Sequence, residues 1–118
     1  MGVERRDIGG PVRVPLEILE IEEMASGDLS LALTESVRWE EFADYAADIA
    51  NILGAEIEDR ADTVVERVWV VSVNGLKYWI TFNDFALGIS LDSQDARASA
   101  AVRRLRERLV RWRDTHTA

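Results

Sequence analysis

Residues 64–82 read VVERVWVVSVNGLKYWITF, and this stretch decides the fold. Two runs rich in β-branched and aromatic residues flank Asn74-Gly75, which strongly favours a two-residue hairpin because a type I′ turn needs positive φ at both central positions. Counting outward from the turn gives the pairs Val73–Leu76, Val71–Tyr78, Trp69–Ile80 and Arg67–Phe82. Since side chains alternate along a strand, these residues apart from Arg67 form one apolar face that predicts the core.

The opposite face of the hairpin is mixed and carries an aromatic residue. Trp79 lies directly across from Val70, with Val68 and Lys77 on the same face. Because Trp is a typical anchor of protein interfaces, these four residues are a candidate interface. The alternative is that the first residues of the chain or an N-terminal hairpin cover Trp79 and bury it in a second small core.

Two further strands are predicted at the N-terminal end. Residues 12–24 alternate between apolar and polar, with a change of parity near Ile18-Leu19 that a β-bulge would explain. Pro15 restricts this strand to an edge, and a short helix beginning at Pro15 is the alternative. A turn at 25–28 leads to the alternating leucines of residues 29–33, which complete a first hairpin.

A helix is predicted at residues 39–53, where apolar residues recur at helical spacing. Ser36 fits its N-cap, and Gly54 stands where a glycine commonly ends a helix. A short strand at 55–58 and a polar turn at 60–63 then lead into the central hairpin.

Residues 85–91 alternate as a further strand of the meander, and Asp92-Ser93 followed by Asp95 opens a last helix. Its buried stripe is Ala98, Val102, Leu105, Leu109 and Trp112, and seven arginines cover the rest. The predicted fold is therefore α+β: an antiparallel sheet of five to six strands, in the order ββα(β)βββα, with two helices packed on one face. Residues 12–114 form a single domain between a flexible lead-in (1–11) and a frayed tail (115–118).

The composition excludes several classes of chemistry. There is no cysteine, and the only histidine is His116, near the C-terminus. Catalytic pairs of Cys or Ser with His therefore cannot form inside the fold, and cysteine- or histidine-rich zinc sites are excluded as well. The sequence shows no secretory signal and no apolar run long enough to span a membrane, so a cytoplasmic location is expected. No cofactor motif is present.

Charge is unevenly distributed along the chain. Residues 1–94 have a net charge of −12, whereas residues 95–118 have a net charge of +4. An acidic body repels phosphate, which makes nucleic acid an unexpected partner. The Arg-rich last helix still leaves anion or nucleic-acid binding as an alternative, although its arginines can equally pair with the acidic body.

The outer side of the first helix is a candidate acidic face made of Glu40, Glu41, Asp44 and Asp48. A hard cation needs oxygen ligands converging from different elements, and one helical stripe rarely supplies them. No metal site is predicted, but a small carboxylate-dependent metal-binding domain or enzyme, using these residues with Asp84 or Asp92, remains the second hypothesis.

Trp39-x-x-Phe42, Leu53-Gly54-Ala55, Trp69, Gly75 and Ile89 together resemble small bacterial α+β domains of unknown function, over residues 37–91. The acidity and mixed layout are also similar to bacterial immunity proteins and secretion chaperones. That resemblance implies a protein partner and transfers no catalytic residue. The leading hypothesis is thus a non-catalytic protein-binding domain, acting on another protein or as a homodimer.

Overall fold

The computed structural model describes residues 14–63, 66–83 and 88–116. The strands are β1 (Glu20–Glu23), β2 (Leu29–Thr34), β3 (Glu56–Asp62), β4 (Glu66–Val73), β5 (Leu76–Asn83) and β6 (Gly88–Ser93). The helices are α1 (Phe42–Leu53), which follows a 3₁₀ turn (Trp39–Glu41), and α2 (Ala96–His116). All strands pair antiparallel in one six-stranded sheet with the order β1-β2-β6-β5-β4-β3.

The central hairpin, β4 and β5, has the predicted register. Trp69 pairs with Ile80 and Val71 pairs with Tyr78. Asn74 and Gly75 have φ values of 53° and 79°, as a type I′ turn requires. The predicted apolar face is buried apart from the partly exposed Leu76. The hairpin therefore sets both the register and the core side of the whole sheet.

Both helices pack on this apolar face. The ring of Phe42, at the start of α1, meets Trp69 edge-on at 6.1 Å, and the Tyr78 hydroxyl donates to the Ala98 carbonyl of α2 at 3.0 Å. Burial raises the pKa of Tyr78 above its usual value, with the charge of Asp95 acting in the same direction. The α+β prediction with two helices on one face is confirmed, and within residues 14–63, 66–83 and 88–116 no helix covers the other face of the sheet.

The N-terminal prediction is only partly right. Of the strand predicted at 12–24, the structure keeps β1, and residues 12–13 lie outside the described part of the chain. Residues 14–19 form an irregular leading segment, in which Leu19 has a φ of 54° and is buried. Tyr45 donates its hydroxyl to the Pro15 carbonyl at 2.7 Å, and Arg106 donates to the Leu19 carbonyl at 2.6 Å. Side chains from both helices thus bind the backbone of a segment that the alternation predicted to be strand, and no helix begins at Pro15.

Several element boundaries also differ from the prediction. Strand β3 continues through Asp62, so the predicted turn at 60–63 is wrong. Asp92 and Ser93 end β6 instead of opening α2, which is capped by Asp95: its carboxylate accepts the Ala98 N–H at 2.8 Å. Residues 84–87, in the predicted strand 85–91, lie outside the described residues.

Ser36 is not the cap of α1. The 3₁₀ turn comes first, and there Glu41 accepts the Arg38 N–H at 3.0 Å. Gly54 ends the helix in the left-handed region, with a φ of 65°, as predicted. Helix α2 continues through His116 and so includes the first two residues of the predicted tail. Neither helix is long and apolar enough to cross a membrane, within the part of the chain that the structure describes.

Candidate functional site

The side of the sheet away from the helices, here called the open face, is built from three rows of side chains. Residues paired across antiparallel strands point to the same face, so the register gives each row directly. The longest row, from β1 to β3, reads Glu22, Ser30, Asp92, Trp79, Val70 and Asp59. Beside it lie Glu20, Ala32, Ser90, Thr81, Val68 and Ala61 in one row, and Lys77, Ser72 and Glu56 in the other.

Trp79 lies near the middle of the open face and is 43% exposed. Of the described residues, it is the only large hydrophobic one that is exposed. Its neighbour Val70 is partly exposed, whereas Val68 is only 9% exposed and offers little surface to a partner. The register thus places the candidate residues Val68, Val70, Trp79 and Lys77 on one face, with Trp79 and Val70 as its accessible apolar part.

The alternative for Trp79 was burial under another part of the chain. The N-terminal hairpin does not cover it, because β1 and β2 extend the same sheet and two strands separate β1 from β5. The first residues of the chain, 1–13, lie outside the described residues. Of the two covers that the sequence suggested, the strand order therefore rules out the N-terminal hairpin.

A hydroxyl-bound carboxylate lies next to Trp79 in the same row. Oδ1 of Asp92 accepts the Ser30 hydroxyl at 2.6 Å and the Ser90 hydroxyl at 2.8 Å, and Oδ2 accepts the Thr81 hydroxyl at 3.2 Å. Three neighbouring strands, β2, β6 and β5, supply the donors. These bonds fix the orientation of the carboxylate at a partly exposed position beside the indole.

Sequence reasoning missed this cluster. Ser90 and Asp92 are two residues apart, which fits one face of a strand, but Asp92 was assigned to the start of the last helix. Ser30 comes from β2, and the pairing of β2 with β6 joins strands 62 residues apart along the chain. Local patterning carries no signal for such a contact.

The open face is acidic. The register places five carboxylates on it: Glu20, Glu22, Glu56 and Asp59 on the edge strands, and Asp92 near the centre. Lys77 is the one basic residue that the register of the described strands places on this face, and its ammonium group lies 3.3 Å from Glu58. The surface around Trp79 therefore carries strong negative charge.

The candidate acidic face at the first helix is divided between two elements. Glu40 and Glu41 belong to the 3₁₀ turn and lie 4.0 Å and 3.9 Å from Arg38, while Asp44 and Asp48 follow in α1. Within the described residues no three Asp, Glu or His side chains come together as metal ligands would. Asp84, part of the same hypothesis, lies outside the described residues.

The arginines of α2 hold the leading segment. Arg106 and Arg113 donate to the backbone carbonyls of Leu19 and Leu16, at 2.6 Å and 3.2 Å. A groove of about 480 Å³ beside them has mixed charge, with two arginines and two glutamates among its lining residues Leu19, Glu20, Ile21, Arg103, Arg106 and Glu107. Arg106 and Arg113 thus connect the leading segment to α2, and the groove beside them is not uniformly basic.

His116 and Tyr45 each make a local contact that bears on their chemistry. The ring of His116 stacks on Trp112 at 4.2 Å, and its Nδ1 lies 2.8 Å from the Trp112 carbonyl oxygen. Burial raises the pKa of Tyr45 well above its usual value, with the negative charges of Glu17 and Asp48 adding to the effect. Tyr45 therefore stays protonated at neutral pH and acts as a hydrogen-bond donor to Pro15.

Comparison with known proteins gives a match to a family. Neither the curated proteins nor the solved structures contain a match to this chain. The family model described as "Protein of unknown function (DUF3630)" matches residues 19–109 of the 118. That span runs from the end of the leading segment to the last buried leucine of α2 and includes all six strands. Because the match covers most of the chain, the protein belongs to the DUF3630 family.

Proposed function

We propose that this protein is a non-catalytic protein-binding domain and that its binding surface is the open face of the sheet. The observation that carries the proposal is the exposure of Trp79 in the middle of that face, where other large hydrophobic side chains of the described chain are buried or partly buried. Tryptophan is strongly enriched among the residues that contribute most binding energy in protein interfaces.

The layout of the open face supports a protein partner. Interfaces combine an apolar centre with a polar, solvent-exposed rim. Here Trp79 and Val70 form the centre, and Glu22 and Asp59 lie at the two ends of the same row. Two of the four candidate interface residues, Trp79 and Val70, thus lie at the centre of a surface with this layout.

The size of the face is also adequate. Six strands about 4.8 Å apart span about 24 Å, and eight-residue strands such as β4 and β5 are about 26 Å long. Because the other four strands are shorter, the face measures at most roughly 600 Å², somewhat less than the roughly 800 Å² that each partner contributes to a standard interface. A partner that also contacts the rim would reach that area.

The experiment compares wild type with Trp79→Asp and with Glu40→Gln, a charge change on the helical side of the molecule. Binding partners are captured from a lysate of the source organism and purified, and their affinity is measured by calorimetry. Size-exclusion chromatography with light scattering tests self-association. Because Trp79 is 43% exposed, both variants are expected to fold, which circular dichroism checks.

We expect Trp79→Asp to weaken binding of the purified partner, or of a second copy, at least about 30-fold, the size of a hot-spot substitution. Glu40→Gln should bind like wild type. A wild-type monomer that captures nothing, or a partner that binds wild type and Trp79→Asp equally, would overturn the proposal.

A further inference from the structure

We propose that the partner of the open face is basic and inserts an arginine whose guanidinium lies over the Trp79 indole and pairs with Asp92. This inference rests on the proposed protein-binding function and specifies the partner's chemistry. Its basis is the juxtaposition of an exposed indole and a fixed carboxylate in directly opposed positions of β5 and β6.

The geometry suits a guanidinium. Directly opposed residues of an antiparallel pair have Cβ atoms about 5 Å apart, so one planar group can reach both Trp79 and Asp92. A guanidinium stacks on an indole within about 6 Å and donates hydrogen bonds in its own plane to a carboxylate. An ammonium group is a point charge without a face to stack, which favours arginine over lysine.

The chain already contains such a stack on the other face of the sheet. Arg60 and Trp69 are directly opposed in β3 and β4, and the Cζ atom of Arg60 lies 4.5 Å from the Trp69 ring centroid. On the open face, Trp79 is opposed by Val70 on one side and by Asp92 on the other. Neither of the described residues directly opposed to this indole is a cation, and the proposal assigns that position to an arginine of the partner.

Asp92 can accept a further hydrogen bond. Its Oδ1 carries two hydroxyl donors and its Oδ2 carries one, whereas an ionised carboxylate offers about four acceptor positions. The remaining position is on Oδ2. Because Ser30, Ser90 and Thr81 already orient the carboxylate, a partner would not have to order it on binding.

Charge distinguishes a basic partner from a second copy of the chain. A symmetric dimer through the open face would bring together two sets of the five carboxylates, with each Lys77 already paired to Glu58. Like charges facing each other across an interface are unfavourable, and complementary charges also accelerate association. The open face therefore fits a basic surface and not its own copy.

The test uses capped twelve-residue peptides that alternate glycine with arginine, lysine or glutamate, titrated into the ¹⁵N-labelled full chain. Two-dimensional NMR reports binding, and loss of one indole signal in Trp79→Thr assigns Trp79. We expect the arginine peptide to shift the Trp79 indole and the amides of Thr81 and Asp92. It should bind at least about fivefold more tightly than the lysine peptide, while the glutamate peptide gives no shifts.

Matched variants separate the specific contact from general attraction to an acidic protein. Trp79→Thr and Asp92→Asn should each weaken the arginine peptide at least about fivefold, whereas Glu40→Gln, with the same charge change as Asp92→Asn, should not. The double variant Glu22→Gln, Asp59→Asn leaves the hydroxyl cluster intact and should weaken binding in the same direction, which covers the case that Asp92→Asn fails to fold.

Three outcomes would overturn the inference: no binding of the arginine peptide, shifts centred on α1, or equal weakening by Glu40→Gln and Asp92→Asn. A wild-type dimer that Trp79→Thr dissociates would also overturn it, while leaving the open face as a protein-binding surface. If a captured partner binds Trp79→Asp as tightly as wild type, the proposed function itself fails.

Discussion

Replacement of Asp92 by alanine removes the one acceptor shared by three hydroxyl groups on the open face. A hydrogen bond to a charged group contributes about 1.5–3 kcal/mol. Asp92, Ser30 and Ser90 are partly exposed, and water can replace part of what they lose, so we take less than half of that value for each bond. Thr81 is only 7% exposed, and its hydroxyl is the one least able to find water. The three bonds together give an expected loss of about 2 kcal/mol in the free energy of unfolding.

Urea denaturation followed by circular dichroism measures this loss. With a urea m value of about 2 kcal/mol/M, the midpoint should fall by about 1 M, and a thermal scan should show a decrease of roughly 8 °C. Asp92→Asn keeps one carbonyl oxygen as an acceptor and should lose less than Asp92→Ala.

A double-mutant cycle isolates the hydrogen bond itself. Ser30→Ala removes the 2.6 Å donor, and the combined variant should show a coupling energy of about 0.5–1.5 kcal/mol between Ser30 and Asp92. Additive effects within about 0.3 kcal/mol, or a loss below about 0.5 kcal/mol for Asp92→Ala, would refute the reasoning that the cluster fixes the carboxylate.

Three further predictions follow from single side chains or turns. Burial raises the pKa of Glu17, but donors that include the Glu35 N–H at 2.7 Å outweigh it and leave the pKa below the usual 4.5. Because the pKa of Glu17 is lower in the folded protein than in the unfolded chain, ionised Glu17 stabilises the fold, and this contribution is lost as the pH falls through the folded pKa. Urea midpoints measured between about pH 5 and 3 should therefore decline more in wild type than in Glu17→Gln. Parallel declines in the two proteins would contradict this. Gly54→Ala forces a Cβ onto a φ of 65° and should cost about 1 kcal/mol by thermal unfolding, and an unchanged midpoint would count against the helix end described here. Trp79 should contribute the most acrylamide-accessible indole fluorescence, and Trp79→Phe should remove that component; quenching that is the same in both proteins would show that the indole is covered.

The fold was predictable where local rules act alone. Asn74-Gly75 specifies its turn type, the turn specifies the register, and the register specifies which face is apolar. Once the apolar face of the sheet is known, it is the face on which the two helices are expected to bury their own apolar stripes. These steps use residues close in sequence, and each was confirmed.

Predictions failed where distant side chains decide the backbone. Alternation in residues 12–24 predicted a longer strand, but Tyr45 and Arg106, donating from the helices, hold the leading segment in an irregular path. Asp92 reads as a helix start in sequence because Asp and Ser are common caps. In the structure its acceptor role in β6 depends on Ser30, 62 residues away.

Contacts between residues distant in sequence also limited what could be predicted of the candidate site. Sequence placed Val70 and Trp79 on one face because both belong to the hairpin, but it could not place Asp92 beside Trp79, since that contact depends on the end of β6. The exposure of Trp79 and the position of Asp92 beside it carry different weight. An exposed indole alone is common on protein surfaces and needs no functional explanation. An indole next to a carboxylate oriented by three hydroxyls is a preorganised pair, and preorganisation lowers the entropic cost of binding a matching cation. The contact between Asp92 and Trp79, which sequence could not supply, is therefore the one on which the proposed recognition of an arginine depends.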